Sequence, residues 1–286
     1  MTLRSLLYVP AHLDRFIDKA HQRRADAIIL DLEDSVPASS KPGARETLAE
    51  SVHKAGQSGA AIFVRVNSEP DLQFDDAAAA CRAGAYGLVV PKVQTVEGLD
   101  RLAAHLAPLE HAMGRDPMPF IGLIEDPGAV FDARALAAHP RVLGLALGSE
   151  DFAMMMGAEP SPDVLRLPKI LVHMAAKAHG KQSFGLLRSI ADYADSGAMQ
   201  TAAAEAKAFG FDGATCIHPS AIPFLNTGLL PTKAECDWAR RVLARADKAA
   251  IENRGAFALD GKMIDAPVLS RARAILAKAG PGSENA

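Results

Sequence analysis

Cysteine is scarce in this 286-residue sequence: Cys81, Cys216 and Cys236 are its three, they form no CxxC pair, and their number is odd. That argues against a disulfide framework or a thiolate zinc site and fits a reducing cytoplasm. No apolar run approaches the roughly 20 residues that span a bilayer, so no membrane partner is expected. The N-terminal MTLRSLLYVPAHLDRF breaks its short apolar run at Pro10 and makes a poor signal peptide; it reads as a first strand. An excess of charge is also lacking, since 31 Lys+Arg against 34 Asp+Glu leave a formal net charge of −3. Nucleic acid and anionic membranes therefore find no basic footprint. A glycine-rich phosphate loop, a dinucleotide fingerprint and a G-x-S-x-G elbow are missing, which removes the commonest nucleotide and hydrolase readings. There is no internal repeat or low-complexity tract.

What is present is alternation. Eight short apolar runs recur, spanning residues 5–10, 27–34, 61–68, 87–93, 119–126, 142–151, 181–187 and 213–220. Between them lie segments with helical spacing, including PGARETLAESVHKAG and TVEGLDRLAAHLAPLEHAM. Such alternation predicts parallel strands with right-handed helical crossovers, and a count of eight favours a (β/α)8 TIM barrel over an open doubly wound sheet. The run at 181–187 is short and polar at its start, and without it the open sheet stands. Residues 1–230 are assigned to the barrel as catalytic domain, and 231–286 to a C-terminal helical extension, a lid or an oligomer contact. In that extension 232–253 reads as a long amphipathic helix, GAFALDGKMIDAP as turn-rich, and 268–279 as a last helix.

Active sites of such barrels form at the C-terminal ends of the strands. Charge crowds there: Asp31, Glu33 and Asp34 after the second run, Arg65 and Asn67 after the third, Lys92 after the fourth, Glu125 and Asp126 after the fifth, Glu150 and Asp151 after the sixth. Any one of these residues is read most simply as the start of a loop, but buried charge is costly unless paired or bound to metal. Glu125 and Asp151 fall one βα unit apart, at the tips of neighbouring strands roughly 5 Å apart. Two carboxylates there call for a shared cation, and Mg2+ takes one or two carboxylates plus water and substrate oxygens. Ion pairing to Arg65 or Lys92 is the plainer alternative.

Arg65 offers a planar fork to a substrate carboxylate, or a salt bridge to the second-strand acids. Arg4, just before the first strand, has the same two readings. Lys41 and Arg45 stand on the opening turn of a helix with Ser40 as N-cap and Pro42 in the first turn, either as a phosphate contact or as a solvated helix start. His218 in IHPS reads as a loop or core histidine. Lys92 is also open to reading as a Schiff-base nucleophile.

In order, LRSLLYVPA, DAIILDLEDSVP, KPGAR, VRVN, VVPKV, GLIE, LALGSED, GFDGATCIHPS and GAFALDGKMIDAP resemble the citrate lyase β-subunit and malyl-CoA lyase-like aldolases, from Arg4 to Pro267. The resemblance implies a barrel of the pyruvate/phosphoenolpyruvate kind, trimeric or hexameric. It implies a carbon–carbon lyase that cleaves or forms citryl-, malyl- or citramalyl-CoA, giving acyl-CoA and a 2-oxo acid through an enolate. Glu125 and Asp151 would ligate Mg2+, with Mn2+ as substitute, and Arg65 would hold the 2-oxo acid carboxylate. Glu33 and Asp34 would stand one layer out from the metal. Asp265 would move the proton, within its own subunit or a neighbour's, and Arg4, Lys41 and Arg45 would face substrate or CoA. The chain departs from the family pattern at Ile124-Glu125-Asp126-Pro127 and across QSFGLLRSIADYAD, which leaves substrate identity open. A metal-dependent aldolase acting on a free 2-oxo acid without CoA and a non-catalytic metabolite-binding subunit are the rival readings.

Overall fold

Runs such as Ala27–Asp31 and Phe120–Ile124 are apolar on both faces almost to their ends, the pattern of strands covered on both sides. The computed structural model, which describes residues 3–191, 195–251 and 255–279, makes them part of eight parallel strands. These are β1 (Ser5–Pro10), β2 (Ala27–Asp31), β3 (Ala61–Arg65), β4 (Gly87–Val90), β5 (Phe120–Ile124), β6 (Val142–Leu147), β7 (Gln182–Phe184) and β8 (Ala214–Cys216). Pairing runs from β7 down to β1 and on to β8. The ring closes where Phe184 bridges Gly213 and the Gly185 N–H donates to the Gly213 carbonyl at 2.9 Å. The fold is thus a (β/α)8 barrel, and the short seventh strand belongs to it.

The helices that follow the strands are α1 (Asp14–Ala20), α2 (Lys41–Glu46), α3 (Leu48–Ala55), α4 (Pro70–Arg82), α5 (Val96–Ala112), α6 (Pro127–Ala138), α7 (Ser149–Met155), α8 (Pro162–Ala178), α9 (Ser196–Phe209) and α10 (Ile222–Gly228). The helix expected after β2 is broken at Thr47, whose hydroxyl bonds back to the Gly43 carbonyl at 3.2 Å. Ser40 precedes α2 but makes no side-chain cap bond, while Pro42 does stand in its first turn. Asp126 caps α6 by accepting the Ala129 N–H at 3.1 Å, with Pro127 as the first helical residue.

Strand alternation positions the site. Ala27, Ile29, Ala61, Phe63, Ile121, Leu123 and Ala146 form one buried cluster, the barrel interior, while Ile28, Leu30, Val64 and Leu145 pack toward the helices. One step further along the inward rows stand Asp31, Arg65 and Glu125. The period of two that fills the interior therefore also aims those charges into the mouth.

The chain divides into two units, one ending at Leu229 and one starting at Leu230. The second contains α11 (Lys233–Ile251), the antiparallel hairpin β9 (Phe257–Leu259) and β10 (Lys262–Ile264), and α12 (Ala266–Ala279). Ala239, Val242, Phe257, Ile264 and Ala272 form its core. Asp260 and Gly261 both have positive φ, 49° and 73°, the backbone of a two-residue hairpin turn. Positions 252–253 of the expected long helix and 192–194 of the divergent segment lie outside the described residues. Among the described residues no helix is long and apolar enough to cross a membrane.

Candidate active site

The mouth of the barrel is a cavity of about 440 Å3 lined by Tyr8, Asp31, Arg65, Glu125, Asp151 and apolar residues including Leu147 and Ile217. Its organising contact is between the ends of β2 and β3, where the register sets Asp31 beside Arg65. Arg65 Nε and Nη2 donate to the two Asp31 carboxylate oxygens at 2.6 and 2.7 Å. Its Nη1 faces Asp34 Oδ2 at 3.0 Å and Glu33 Oε2 at 3.1 Å. The guanidinium carbon lies 4.9 Å over the Tyr8 ring. Asp31 also accepts the Glu33 N–H at 3.0 Å, and the Ser35 N–H and hydroxyl at 3.1 and 2.5 Å. Burial works against its charge, but these bonds, Arg65 first among them, hold its pKa below the ordinary value.

Glu125 has the opposite environment. It is 5% exposed and accepts a hydrogen bond from the Lys92 backbone, N–H to Oε2 at 2.9 Å. Burial, then repulsion from Glu33 and Asp151, pushes its pKa up to about 8. Glu33 is likewise pushed up to about 7, mainly by burial. Its Oε1 is buried without a hydrogen-bond partner among the described residues and lies 3.6 Å from Lys92 Nζ. Space beside Glu125 is kept by Gly148: a Cβ there would come within 2.4 Å of Glu125 Cγ and Oε1.

The structure brings Arg65, Glu125 and Asp151 around one cavity, with Asp34 on its lining and Glu33 against Arg65. Asp151 does not end β6 as expected; it stands with Glu150 in the first turn of α7, because the ladder stops at Leu147. Arg4 is a correction. It precedes β1 in a parallel barrel, so it stands at the opposite, N-terminal end, where Asp26 takes its guanidinium at 2.7 Å. Arg45 pairs with buried Asp76 at 2.7 Å, and Lys41 Nζ bonds Asn67 Oδ1. His218 bonds Ser220 through Nδ1, at 2.7 Å to the hydroxyl. Asp265, in the second unit, accepts the Val268 N–H at 3.3 Å at the start of α12. Lys92 is poorly suited to Schiff-base chemistry: burial acts to lower its pKa, but Glu33, Asp151 and Glu125 raise it overall, whereas a nucleophilic amine needs it depressed. Sequence reasoning missed the anchoring role of Asp31, the Tyr8 platform and the clearance at Gly148. The inward alternation Ile29–Asp31 would have found the first.

No group of three His, Cys, Asp or Glu side chains suited to a metal occurs among the described residues. The carboxylates of the mouth fit a hard cation that completes its shell with water and ligand oxygens. The model of the HpcH/HpaI aldolase/citrate lyase family matches residues 4–219. The citrate lyase subunit beta of Escherichia coli K12 is 34% identical over 97% of this chain and 93% of its own. A (3S)-malyl-CoA thioesterase of Cereibacter sphaeroides KD131 is 32% identical over 96% and 94%. Among solved structures, Mycobacterium tuberculosis CitE in complex with magnesium, acetoacetate and coenzyme A matches with a TM-score of 0.77 and 31% identity, covering 98% of both chains. With its barrel, its acid-lined mouth and a family match over most of its length, the chain belongs to the HpcH/HpaI aldolase/citrate lyase family.

Proposed function

We propose that this chain is a Mg2+-dependent carbon–carbon lyase that cleaves or forms a hydroxyacyl-CoA of the citryl-, malyl- or citramalyl-CoA type, giving acyl-CoA and a 2-oxo acid. The carrying observation is Glu125, a carboxylate buried beside Glu33 and Asp151 with its pKa raised to about 8. A divalent cation held by Glu125 and Asp151 would offset that repulsion, and Glu33 Oε1, buried and without a hydrogen-bond partner among the described residues, fits a role one layer out. Bound there, Mg2+, or Mn2+ in its place, would polarise the keto oxygen of the 2-oxo acid.

The chain's own residues do the rest. Arg65, fixed in orientation by Asp31, would present Nη1 to the 2-oxo acid carboxylate in place of exposed Asp34. In the condensation direction a base takes a proton from the acyl α-carbon, the resulting enolate attacks the keto carbon, and the new alkoxide gains a proton; cleavage is the reverse. We assign that proton transfer to Asp265, acting within its own subunit or from a neighbour in a trimer or hexamer. Lys41 is assigned to CoA phosphates in preference to Arg45, which Asp76 already holds. Barrel residues 1–230 are the proposed catalytic domain, 231–286 the lid or oligomer contact, and the cytoplasm the location, in keeping with three free cysteines.

A second reading, thioester hydrolysis, is favoured by the malyl-CoA thioesterase relative. The deciding experiment incubates malyl-, citramalyl- and citryl-CoA with Mg2+ and either the wild type or Glu125→Ala. Equimolar 2-oxo acid and acyl-CoA, lost in the variant, is the expected result. Free CoA thiol without 2-oxo acid would establish hydrolysis, and equal turnover by both proteins would remove Glu125 from the mechanism.

A further inference from the structure

The segment after β7, where the sequence departs from the family pattern, is unused by the chemistry above. Ile190 and Ala191 line the acid-rich cavity, together with Leu147, Ala146 and Ile217. Side chains from two helices fasten this segment. Lys169 on α8, only 3% exposed, donates from Nζ to the Arg188 carbonyl at 2.8 Å. Ser189, also buried, donates from Oγ to Glu150 Oε1 at 2.5 Å and accepts the Ala191 N–H at 3.1 Å. Glu150 precedes Asp151 in the first turn of α7, so these bonds tie the cavity wall to the helix that carries the acid. A buried lysine that bonds a loop carbonyl and is also attracted by Glu150 is expensive packing unless the loop must be held in register.

We propose that Ile190 is a specificity-determining wall for the acyl half of the substrate, and that Lys169, Glu150 and Ser189 are the positioning residues that fix it. The ligand class is a short, uncharged hydrocarbon acyl group on a CoA thioester. Apolar Leu147, Ala146 and Ile217 share the lining with Ile190, which suits an uncharged acyl chain. The inference rests on the lyase reading for the identity of the thioester.

Isothermal titration of the full chain with Mg2+ and acetyl-, propionyl- or butyryl-CoA tests it. Wild type is expected to favour acetyl-CoA. Opening the wall with Ile190→Ala should move the acetyl-to-butyryl affinity ratio roughly tenfold toward butyryl-CoA, the effect of small changes in an apolar pocket. Ser189→Ala should move it the same way, and Ser189→Thr, which keeps the hydroxyl, should retain the wild-type ratio. The inference is overturned if Ile190→Ala leaves the ratio unchanged, if Ser189→Ala weakens all three ligands equally, or if wild type binds all three alike or none. Turnover of the same thioesters with a 2-oxo acid separates the two ideas. A shifted binding ratio without product keeps the wall and ends the lyase reading; product with an unshifted ratio ends the wall alone.

Discussion

Replacing Glu125 by Gln should stabilise the metal-free protein while removing its activity. Glu125 has a folded-state pKa of about 8 against an ordinary 4.5, because burial and the neighbouring Glu33 and Asp151 oppose its charge. For an acid raised on folding, stability is intact below about pH 4.5 and is lost as pH rises toward 8, since the native state holds a proton that the unfolded state has released. That interval sets a ceiling of about 5 kcal/mol, at 1.36 kcal/mol for each factor of ten. A buried amide still carries a desolvation cost of about 1–3 kcal/mol, so the expected gain is roughly half, about 2–3 kcal/mol. The amide retains an oxygen for the Lys92 N–H. In a chain of this size the gain corresponds to a rise in Tm of roughly 5–10 °C. Melting curves in EDTA at pH 8.5 should show it, and at pH 5 the two proteins should nearly coincide. With Mg2+ at a hundred times its Kd, wild type gains about 2.7 kcal/mol and the variant little, so the difference closes. A Gln variant that melts at or below wild type in EDTA at pH 8.5 would refute the electrostatic reasoning.

Gly148→Ala, whose Cβ would come within 2.4 Å of Glu125 Oε1, should displace that carboxylate, weaken Mn2+ binding at least tenfold by titration and cost about 1–3 kcal/mol of stability. Because Glu125 is protonated below about pH 8 in the metal-free protein, Mg2+ binding should release a proton and its affinity should fall about tenfold per pH unit from 8 toward 6. Calorimetry in buffers of different ionisation enthalpy would detect the proton, and a flat pH profile would contradict it. Borohydride with pyruvate should leave the mass of the protein unchanged, since the pKa of Lys92 is raised where a nucleophilic amine needs it depressed. A reduced adduct on Lys92 would restore the Schiff-base reading.

Much of the barrel was legible because a buried parallel strand has a period and a composition that few other elements share. The span Ser5–Pro10 was read as it stands, whereas the second, third and fifth runs were extended by two or three residues. Their polar ends, Glu33 and Asp34, Asn67 and Asp126, leave the ladder for loops or helix caps, and composition alone does not mark where pairing stops. Glu125 was found because a charge follows an unbroken apolar strand. Asp31 was undervalued because only the register shows that it, rather than Glu33, takes both arms of Arg65. Arg4 was misplaced although strand direction contained the answer: a residue before the first strand of a parallel barrel stands at the N-terminal end. The Asp260–Gly261 turn falls within the segment that its Gly and turn residues mark as turn-rich, but three-residue strands on either side are too short for alternation to announce a hairpin. The need for glycine at position 148 was invisible, since it arises from a side chain on another strand.

The central claim is that Glu125 and Asp151 share one divalent cation. A crystal grown with Mn2+ and pyruvate, measured at the manganese edge, tests it most directly. One strong anomalous peak is expected at the barrel mouth, about 2.1 Å from a carboxylate oxygen of each residue. A map without that peak, or with the ion bound away from Glu125, would contradict it.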